Sequence, residues 1–107
     1  MITPASHDPI LDRFRAAVTD LYGARLDRVV LFGSRARGEA RPDSDYDVAV
    51  FLNDMPNRFE ELDRLAILSV HMQDDTGALF DAKPYPAANY NDGSPLMWEI
   101  RRDGLTL

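Results

Sequence analysis

The feature that most constrains the fold of this chain is a pair of apolar runs joined by a glycine-containing, basic loop. The first run, residues 29–32, ends at Gly33-Ser34, and the second follows an Asp-Tyr-Asp triplet at residues 45–47 and extends to residue 52. Short apolar runs bounded by turn residues are typical of buried strands. The segment therefore predicts two strands joined by a turn, with polar side chains where the first ends and the second begins.

The turn after the first run has the properties of a phosphate-binding loop. Gly33 allows the backbone to turn sharply and leaves no Cβ in the way of a phosphate. Ser34 is a favourable N-cap for a short helical turn that reaches Arg37, and the start of such a turn presents free N–H groups to an anion. We therefore expect Gly33, Ser34, Arg35 and Arg37 to contact the phosphates of a nucleotide. Surface ion pairs are the alternative for the two arginines.

The two carboxylates of the triplet are spaced for metal binding. Asp45 and Asp47 are two residues apart, so on a strand they point to the same face, roughly 6–7 Å apart along the chain. Carboxylates so placed can share two divalent ions roughly 3.5–4 Å apart, as in two-metal phosphoryl chemistry. Mg²⁺ suits such a site because it is usually held by one or two carboxylates and the substrate phosphates. The alternative is a turn that leads into a strand.

A third carboxylate is expected, because two aspartates alone leave a two-metal site short of ligands. Asp81 is the best placed, within the apolar sequence Leu-Phe-Asp-Ala of a predicted third strand. An unpaired acid inside a strand is costly to bury, so its presence there needs an explanation. The alternative is an edge-strand aspartate that faces solvent or pairs with Lys83. If Lys83 shares the face of Asp81, it could also reach a triphosphate.

The rest of the chain predicts helices around these strands. A first helix begins at Asp8-Pro9 and closes at Gly23, and a second is capped by Asn57, has an apolar series from Phe59 to Met72 and ends near Gly77. The third strand is expected over residues 78–83, stopped by Pro84 and Pro86, and a last helix runs from Ser94-Pro95 to Gly104. The element order is αβ(α)βαβα. It predicts an α/β (α+β) fold, a single domain over residues 1–107 with a small mixed sheet flanked by helices. Strands one and two should be antiparallel, and strands two and three parallel.

Composition narrows the classes of function. The net charge of −6 argues against direct binding of long nucleic acid and favours a small anionic substrate handled through metal, or a basic protein partner. The chain has no cysteine, which excludes disulfides and thiolate metal sites. No apolar run approaches the roughly 20 residues of a membrane span, and no secretory signal is apparent, so we expect a cytoplasmic protein.

Gly33-Ser34, ten intervening residues and then Asp45-x-Asp47 resemble the minimal nucleotidyltransferases, small relatives of the DNA polymerase beta superfamily. The resemblance is specific over residues 29–52 and looser elsewhere. It implies a compact α/β catalytic core that uses Mg²⁺ and ATP, with the third metal carboxylate on the later strand, here Asp81. It also implies the MNT antitoxin of a HEPN/MNT toxin–antitoxin pair, which transfers AMP to a tyrosine of its HEPN toxin partner.

Three hypotheses follow from these observations. The first is an adenylyltransferase that modifies a partner toxin, the second an antitoxin that neutralises its toxin by binding alone, and the third a transferase that acts on a small-molecule hydroxyl. The complete set of acids argues against the second. We expect 107 residues to be too few for both this core and a separate acceptor domain, which argues against the third hypothesis and favours a protein partner.

Overall fold

A computed structural model of the chain describes residues 8–107, which fold around one four-stranded sheet. The helices and strands in chain order are α1 (Pro9–Tyr22), β1 (Leu26–Phe32), β2 (Tyr46–Leu52), α2 (Arg58–Thr76), β3 (Phe80–Pro86), α3 (Pro95–Asp103) and β4 (Leu105–Thr106). Short 3-10 turns follow α1 and precede α3. The predicted mixed α/β architecture is confirmed.

The helices begin at the residues that the sequence predicts as caps. Asp8 Oδ1 accepts a hydrogen bond from the Ile10 amide at 2.8 Å, and Asn57 Oδ1 accepts from the amide of Phe59 at 3.1 Å. Ser94 caps α3 through a bond from the Met97 amide. Each cap satisfies a donor that the first turn of a helix leaves free. No helix within residues 8–107 combines the length and the apolar character needed to cross a membrane.

The strand pairing places β2 at the centre of the sheet, in the order β3-β2-β1-β4. β1 and β2 are antiparallel and β2 and β3 are parallel, as predicted. β4 pairs antiparallel with β1 through Leu105 and Thr106 and was not predicted. Two residues are too short a segment for an alternating pattern to be visible in a sequence.

Two strand boundaries differ from the prediction. β1 begins at Leu26, three residues before the apolar run, where its side chains are partly buried or exposed. β3 covers Phe80–Pro86, so the prediction that Pro84 and Pro86 stop this strand is wrong. β3 is an edge strand, and an edge tolerates proline because the ring nitrogen can face away from the neighbouring strand.

The two faces of the sheet carry separate apolar clusters. One face packs against α1 and α2 through residues that include Phe14, Val48 and Leu65. The other face packs against α3, through Ala49 and Phe51 of β2, Tyr85 of β3 and Met97 and Ile100 of α3. Side chains alternate along a strand, so Asp47 and Asp81 lie on this second face with Ala49 and Tyr85. We call it the α3 face.

The buried side of α2 differs from the predicted apolar series. Phe59 is 79% exposed, whereas Glu61 is 1% exposed beneath the helix. Glu61 Oε2 accepts a bond from Arg25 Nη2 at 2.5 Å, and its Oε1 accepts one from Arg64 at 3.0 Å. Burial by itself would raise the pKa of Glu61, but the hydrogen bonds from the two arginines outweigh it and hold the pKa below its usual value.

Candidate active site

Gly33 lies where β1 ends, in direct contact with Asp47. Its φ is +75°, a left-handed conformation that glycine adopts without strain. A Cβ placed on Gly33 would overlap the Oδ2 atom of Asp47 and lie 3.3 Å from its Cγ. Glycine is therefore required here for its backbone conformation and for the close approach of the carboxylate.

The loop after Gly33 forms hydrogen-bonded turns and no regular helix. The Arg37 amide donates to the Gly33 carbonyl at 3.2 Å, and the Glu39 amide donates to the Ser34 carbonyl at 2.9 Å. Within residues 8–107, the amides of Ser34, Arg35 and Ala36 have no hydrogen-bond partner, and the Ser34 hydroxyl makes no capping bond. The predicted helical turn is therefore present as a single turn closed by the bond from Arg37 to Gly33, without the Ser34 cap. Its first N–H groups are available to an anion.

The Arg35 side chain connects the start of the loop to its end. Its Nε and Nη2 donate to the Ser44 carbonyl at 3.0 and 2.7 Å, and its guanidinium lies 4.0 Å from the centre of the Tyr46 ring. These contacts use the side chain to hold the residue that precedes Asp45. A phosphate contact by Arg35 stays a prediction, and it would require the side chain to leave these partners.

Arg37 forms a surface ion pair, which was the predicted alternative to a phosphate contact. Its Nε donates to Glu39 Oε2 at 3.2 Å, and Glu39 is largely exposed. An exposed ion pair of this kind contributes about 0–1 kcal/mol, so it would hold Arg37 only weakly. The predicted phosphate contact of Arg37 also stays a prediction.

The three predicted acids lie at one end of β2 and β3. Asp45 precedes β2 and is exposed, and Asp47 is its second residue and half-buried. Asp47 stands in register with Asp81 of β3 on one side and with Phe32 of β1 on the other. Neighbouring residues in register point to the same face of a sheet, so Asp47 and Asp81 both lie on the α3 face.

The charge around Asp47 is unbalanced. Burial raises the pKa of Asp47, and the negative charges of Asp81, Asp45 and Glu99 raise it further. Lys83 is the cation that opposes them. Glu99 lies on α3, and its contribution could not be predicted from its position in the sequence. The concentration of acids creates a site that favours a cation.

The donor chemistry of these acids fits Mg²⁺. Magnesium prefers carboxylate oxygens together with phosphates and water, and Asp45, Asp47 and Asp81 supply only carboxylates. Within residues 8–107, no three acidic or histidine side chains lie close enough together in this structure to hold one ion. The carboxylate of Asp81 is instead bonded to Lys83. The assignment of Asp45, Asp47 and Asp81 as metal ligands remains a proposal.

Tyr46 anchors the triplet from the opposite face of the sheet, as alternation predicts. It is 4% exposed, and its ring stacks on Phe80, which stacks in turn on Phe14. Its hydroxyl donates to Asp8 Oδ2 at 2.7 Å. The residue between the two acids is thus tied to α1, a support that sequence reasoning did not identify. The polar contact to Asp8 spans 38 residues and has no local signal.

A family model described as a nucleotidyltransferase domain matches residues 11–89 of this chain. That range includes the Gly33 loop, the Asp-Tyr-Asp triplet and Asp81. The chain belongs to the nucleotidyltransferase domain family. The predicted enzyme class and the resemblance to nucleotidyltransferases are confirmed.

Similar proteins agree with the family assignment. A protein of Methanocaldococcus jannaschii, provisionally named a protein adenylyltransferase, is 37% identical over 60 residues. The match covers 56% of this nucleotidyltransferase but only 61% of that relative. A solved structure provisionally described as a minimal nucleotidyltransferase has a TM-score of 0.61 at 29% identity, with 96% of this chain and 100% of that chain covered.

A solved toxin-antitoxin structure with AMP-PNP shares the fold. Its TM-score is 0.64 at 17% identity, and the match covers 89% of this chain and 70% of that chain. At this identity the likeness concerns the fold alone. The minimal nucleotidyltransferase fold predicted from the sequence is thereby confirmed.

Gly33→Ala should separate backbone strain from damage to the site. We expect it to lower the free energy of unfolding by about 1–2 kcal/mol, because alanine is strained at positive φ. Nucleotidyl transfer should fall by roughly 10²-fold, because the new methyl group displaces the Asp47 carboxylate. Urea unfolding and the initial rate of nucleotidyl transfer measure the two effects.

Gly38→Ala is the matched control for this variant. Gly38 has a φ of +74°, nearly that of Gly33, but nothing lies within 4 Å of a Cβ placed on it. It should lose similar stability and keep its transfer rate within a few fold. Equal rates in the two alanine variants would show that contact between Gly33 and Asp47 does not matter for activity.

Proposed function

We propose that this nucleotidyltransferase transfers AMP from ATP to a hydroxyl side chain, a tyrosine, of a partner HEPN toxin, and so acts as its antitoxin. The observation that carries the proposal is the position of Gly33 against Asp47, with Asp81 in register on the neighbouring strand. The turn that would bind phosphate and the carboxylates that would bind metal are thereby adjacent. Adjacency of these two groups is what transfer from a nucleoside triphosphate requires.

The Gly33 loop would hold the triphosphate. The free amides of Ser34, Arg35 and Ala36 would donate to oxygens of the β and γ phosphates, with the Ser34 hydroxyl as a further donor. The absence of a Cβ at Gly33 lets the Asp47 carboxylate lie directly against the loop. The loop would thus fix the α-phosphorus near the carboxylates.

Asp45, Asp47 and Asp81 would hold two Mg²⁺ ions. When bound, Mg²⁺ would polarise the phosphate and lower the pKa of an acceptor hydroxyl. The hydroxyl oxygen would form a bond to the α-phosphorus as the bond to the β-phosphate oxygen breaks, so that pyrophosphate leaves. Asp81, on the edge strand β3, would face the acceptor and would take the hydroxyl proton or orient the group that does.

A partner protein would supply the acceptor hydroxyl. The expected cytoplasmic location would give both proteins access to ATP. Two comparisons support this part of the proposal. The Methanocaldococcus jannaschii relative bears the name of a protein adenylyltransferase, and a toxin-antitoxin structure has the same fold. The net charge of −6 fits a basic partner surface.

Transfer of label from ATP tests the proposal. The purified chain is incubated with ATP labelled on the α-phosphate, Mg²⁺ and the protein encoded beside it in the genome. We expect the label to appear on that neighbour, on a tyrosine identified by mass spectrometry, and the activity of the neighbour as a toxin to fall. Chelation of the metal by EDTA should prevent both effects.

The natural chain and the variant with Asp45→Ala and Asp47→Ala together separate the three hypotheses. If label still appears on the neighbour, the metal-site assignment is wrong. If labelling stops but the toxin is still neutralised, the chain acts by binding alone. If the natural chain passes the label to a small-molecule hydroxyl added to the assay and not to the neighbour, the chain has a different acceptor class.

A further inference from the structure

Lys83 is the one lysine of the chain, and it stands among the acids of the α3 face. It is in register with Ala49, two residues along β3 from the pair formed by Asp47 and Asp81. Because side chains alternate along a strand, Lys83 shares the face of Asp81. Sharing the face of Asp81 was the predicted condition for Lys83 to act at the site, and the structure meets this condition.

The ammonium group of Lys83 is bonded to both carboxylate oxygens of Asp81. Nζ lies 3.1 Å from Oδ1 and 3.2 Å from Oδ2. Both side chains are 49% exposed, so the contact is held by charge and hydrogen bonding and not by burial. It can open without disrupting the core.

The bond to Lys83 uses the same oxygens that a metal would need. An ammonium group donates hydrogen bonds along the directions in which a carboxylate oxygen binds a cation. Lys83 therefore competes with a divalent ion for the oxygens of Asp81. The positive charge of Lys83 also repels an incoming ion.

We propose that Lys83 is a positioning residue that neutralises Asp81 in the metal-free protein and is displaced from it when a divalent ion binds. The inference rests on the proposed function, because it takes Asp81 as a metal ligand. Lys83 would keep the Asp81 side chain oriented over the α3 face while limiting repulsion between Asp81 and Asp47. Metal binding would then include the opening of one ion pair.

Metal affinity of the free protein tests this inference without any transfer reaction. Calorimetry with Mn²⁺ alone, without nucleotide or partner, is done on the natural chain, on Lys83→Met and on Lys83→Arg. We expect Lys83→Met to bind Mn²⁺ about two- to five-fold more tightly, the range set by an exposed ion pair. Lys83→Arg keeps the charge and should bind no more tightly than the natural chain.

Thermal unfolding in EDTA provides the second measurement. In EDTA, Lys83→Met should unfold at a lower temperature than the natural chain. When EDTA is replaced by Mn²⁺, the unfolding midpoint of Lys83→Met should rise by more than that of the natural chain. A purely structural role for the ion pair would lower the midpoint in EDTA with the same Mn²⁺ affinity in both proteins. That result would overturn the inference.

Failure of the inference can be distinguished from failure of the proposed function. If the natural chain transfers AMP but Lys83→Met binds Mn²⁺ no more tightly, or the free chain binds none, only the role of Lys83 is wrong. An unchanged Mn²⁺ affinity together with a raised KM for ATP would make Lys83 a triphosphate ligand instead. If the natural chain transfers no AMP, the proposed function is wrong, whatever the Mn²⁺ result.

Discussion

Asp47→Asn should lower AMP transfer by about 10³-fold. A metal ion at such a site supplies several kcal/mol of charge stabilisation, and each 1.36 kcal/mol corresponds to about tenfold in rate. Asparagine keeps the shape of the side chain and the contact with Gly33, but it removes the charge that would hold the metal. The initial rate of label transfer at saturating ATP and Mg²⁺ measures the effect.

The same substitution should not destabilise the metal-free protein. Asp47 is half-buried and faces the negative charges of Asp81, Asp45 and Glu99, so its neutralisation removes repulsion. Unfolding in EDTA at pH 7 should give a midpoint at or above that of the natural chain. Asp43→Asn, an exposed loop position, is the matched control and should leave the rate unchanged. A rate loss accompanied by a large loss of stability would point to misfolding and contradict the assigned role.

Arg25→Met should cost about 3–5 kcal/mol of unfolding free energy, the range for removing one partner of a buried ion pair. It leaves the buried Glu61 carboxylate with only Arg64, which is 45% exposed in its side chain. Chemical denaturation at pH 7 measures the loss. Adding Glu61→Leu to the same variant should restore part of the stability, because no buried charge then remains unpaired.

The surface pair of Arg13 and Asp75 supplies the control. Both side chains are more than half exposed, so Arg13→Met should cost about 0–1 kcal/mol. If Arg13→Met and Arg25→Met lower the unfolding free energy equally, the burial of Glu61 does not determine how much its ion pair contributes to stability.

The buried pair also predicts how stability depends on pH. The folded pKa of Glu61 lies below its unfolded value, so the stability it contributes is present above about pH 4.3 and is lost as the pH falls through the folded pKa. Arg25→Met should therefore lose less stability than the natural chain between pH 7 and pH 3. A parallel acid dependence in both proteins would count against this assignment.

The helices and strands that were predicted correctly are those whose residue patterns can be recognised within a short stretch of sequence. Caps such as Asp8 and Asn57 act on amides two or three residues away, so their effect can be seen in a short window. The β2 strand has a continuous apolar run, and the helix between β2 and β3 made their parallel pairing a reasonable inference. The Gly33 loop and the triplet were found because their residue types and spacing carry chemistry.

The features that were missed depend on distant contacts. Glu61 is polar by composition, so sequence reasoning did not assign it to the buried side of α2, where Arg25 pairs with it across 36 residues. Phe59 belonged to the predicted apolar series, yet it is exposed because the buried stripe of α2 follows Glu61, Leu65, Leu68 and Met72. The β3 prolines were interpreted as breakers because nothing local indicates that β3 lies at an edge.

The two prolines of β3 also limit how a partner protein could pair with this edge of the sheet. Proline has no amide hydrogen, so an edge strand that contains Pro84 and Pro86 is a poor template for a further strand from another chain. A partner that extended the sheet there would lack main-chain hydrogen bonds at alternate positions. If a partner protein supplies the hydroxyl, we therefore expect it to arrive on a tail, a loop or a helix end and not on a strand added beside Pro84 and Pro86.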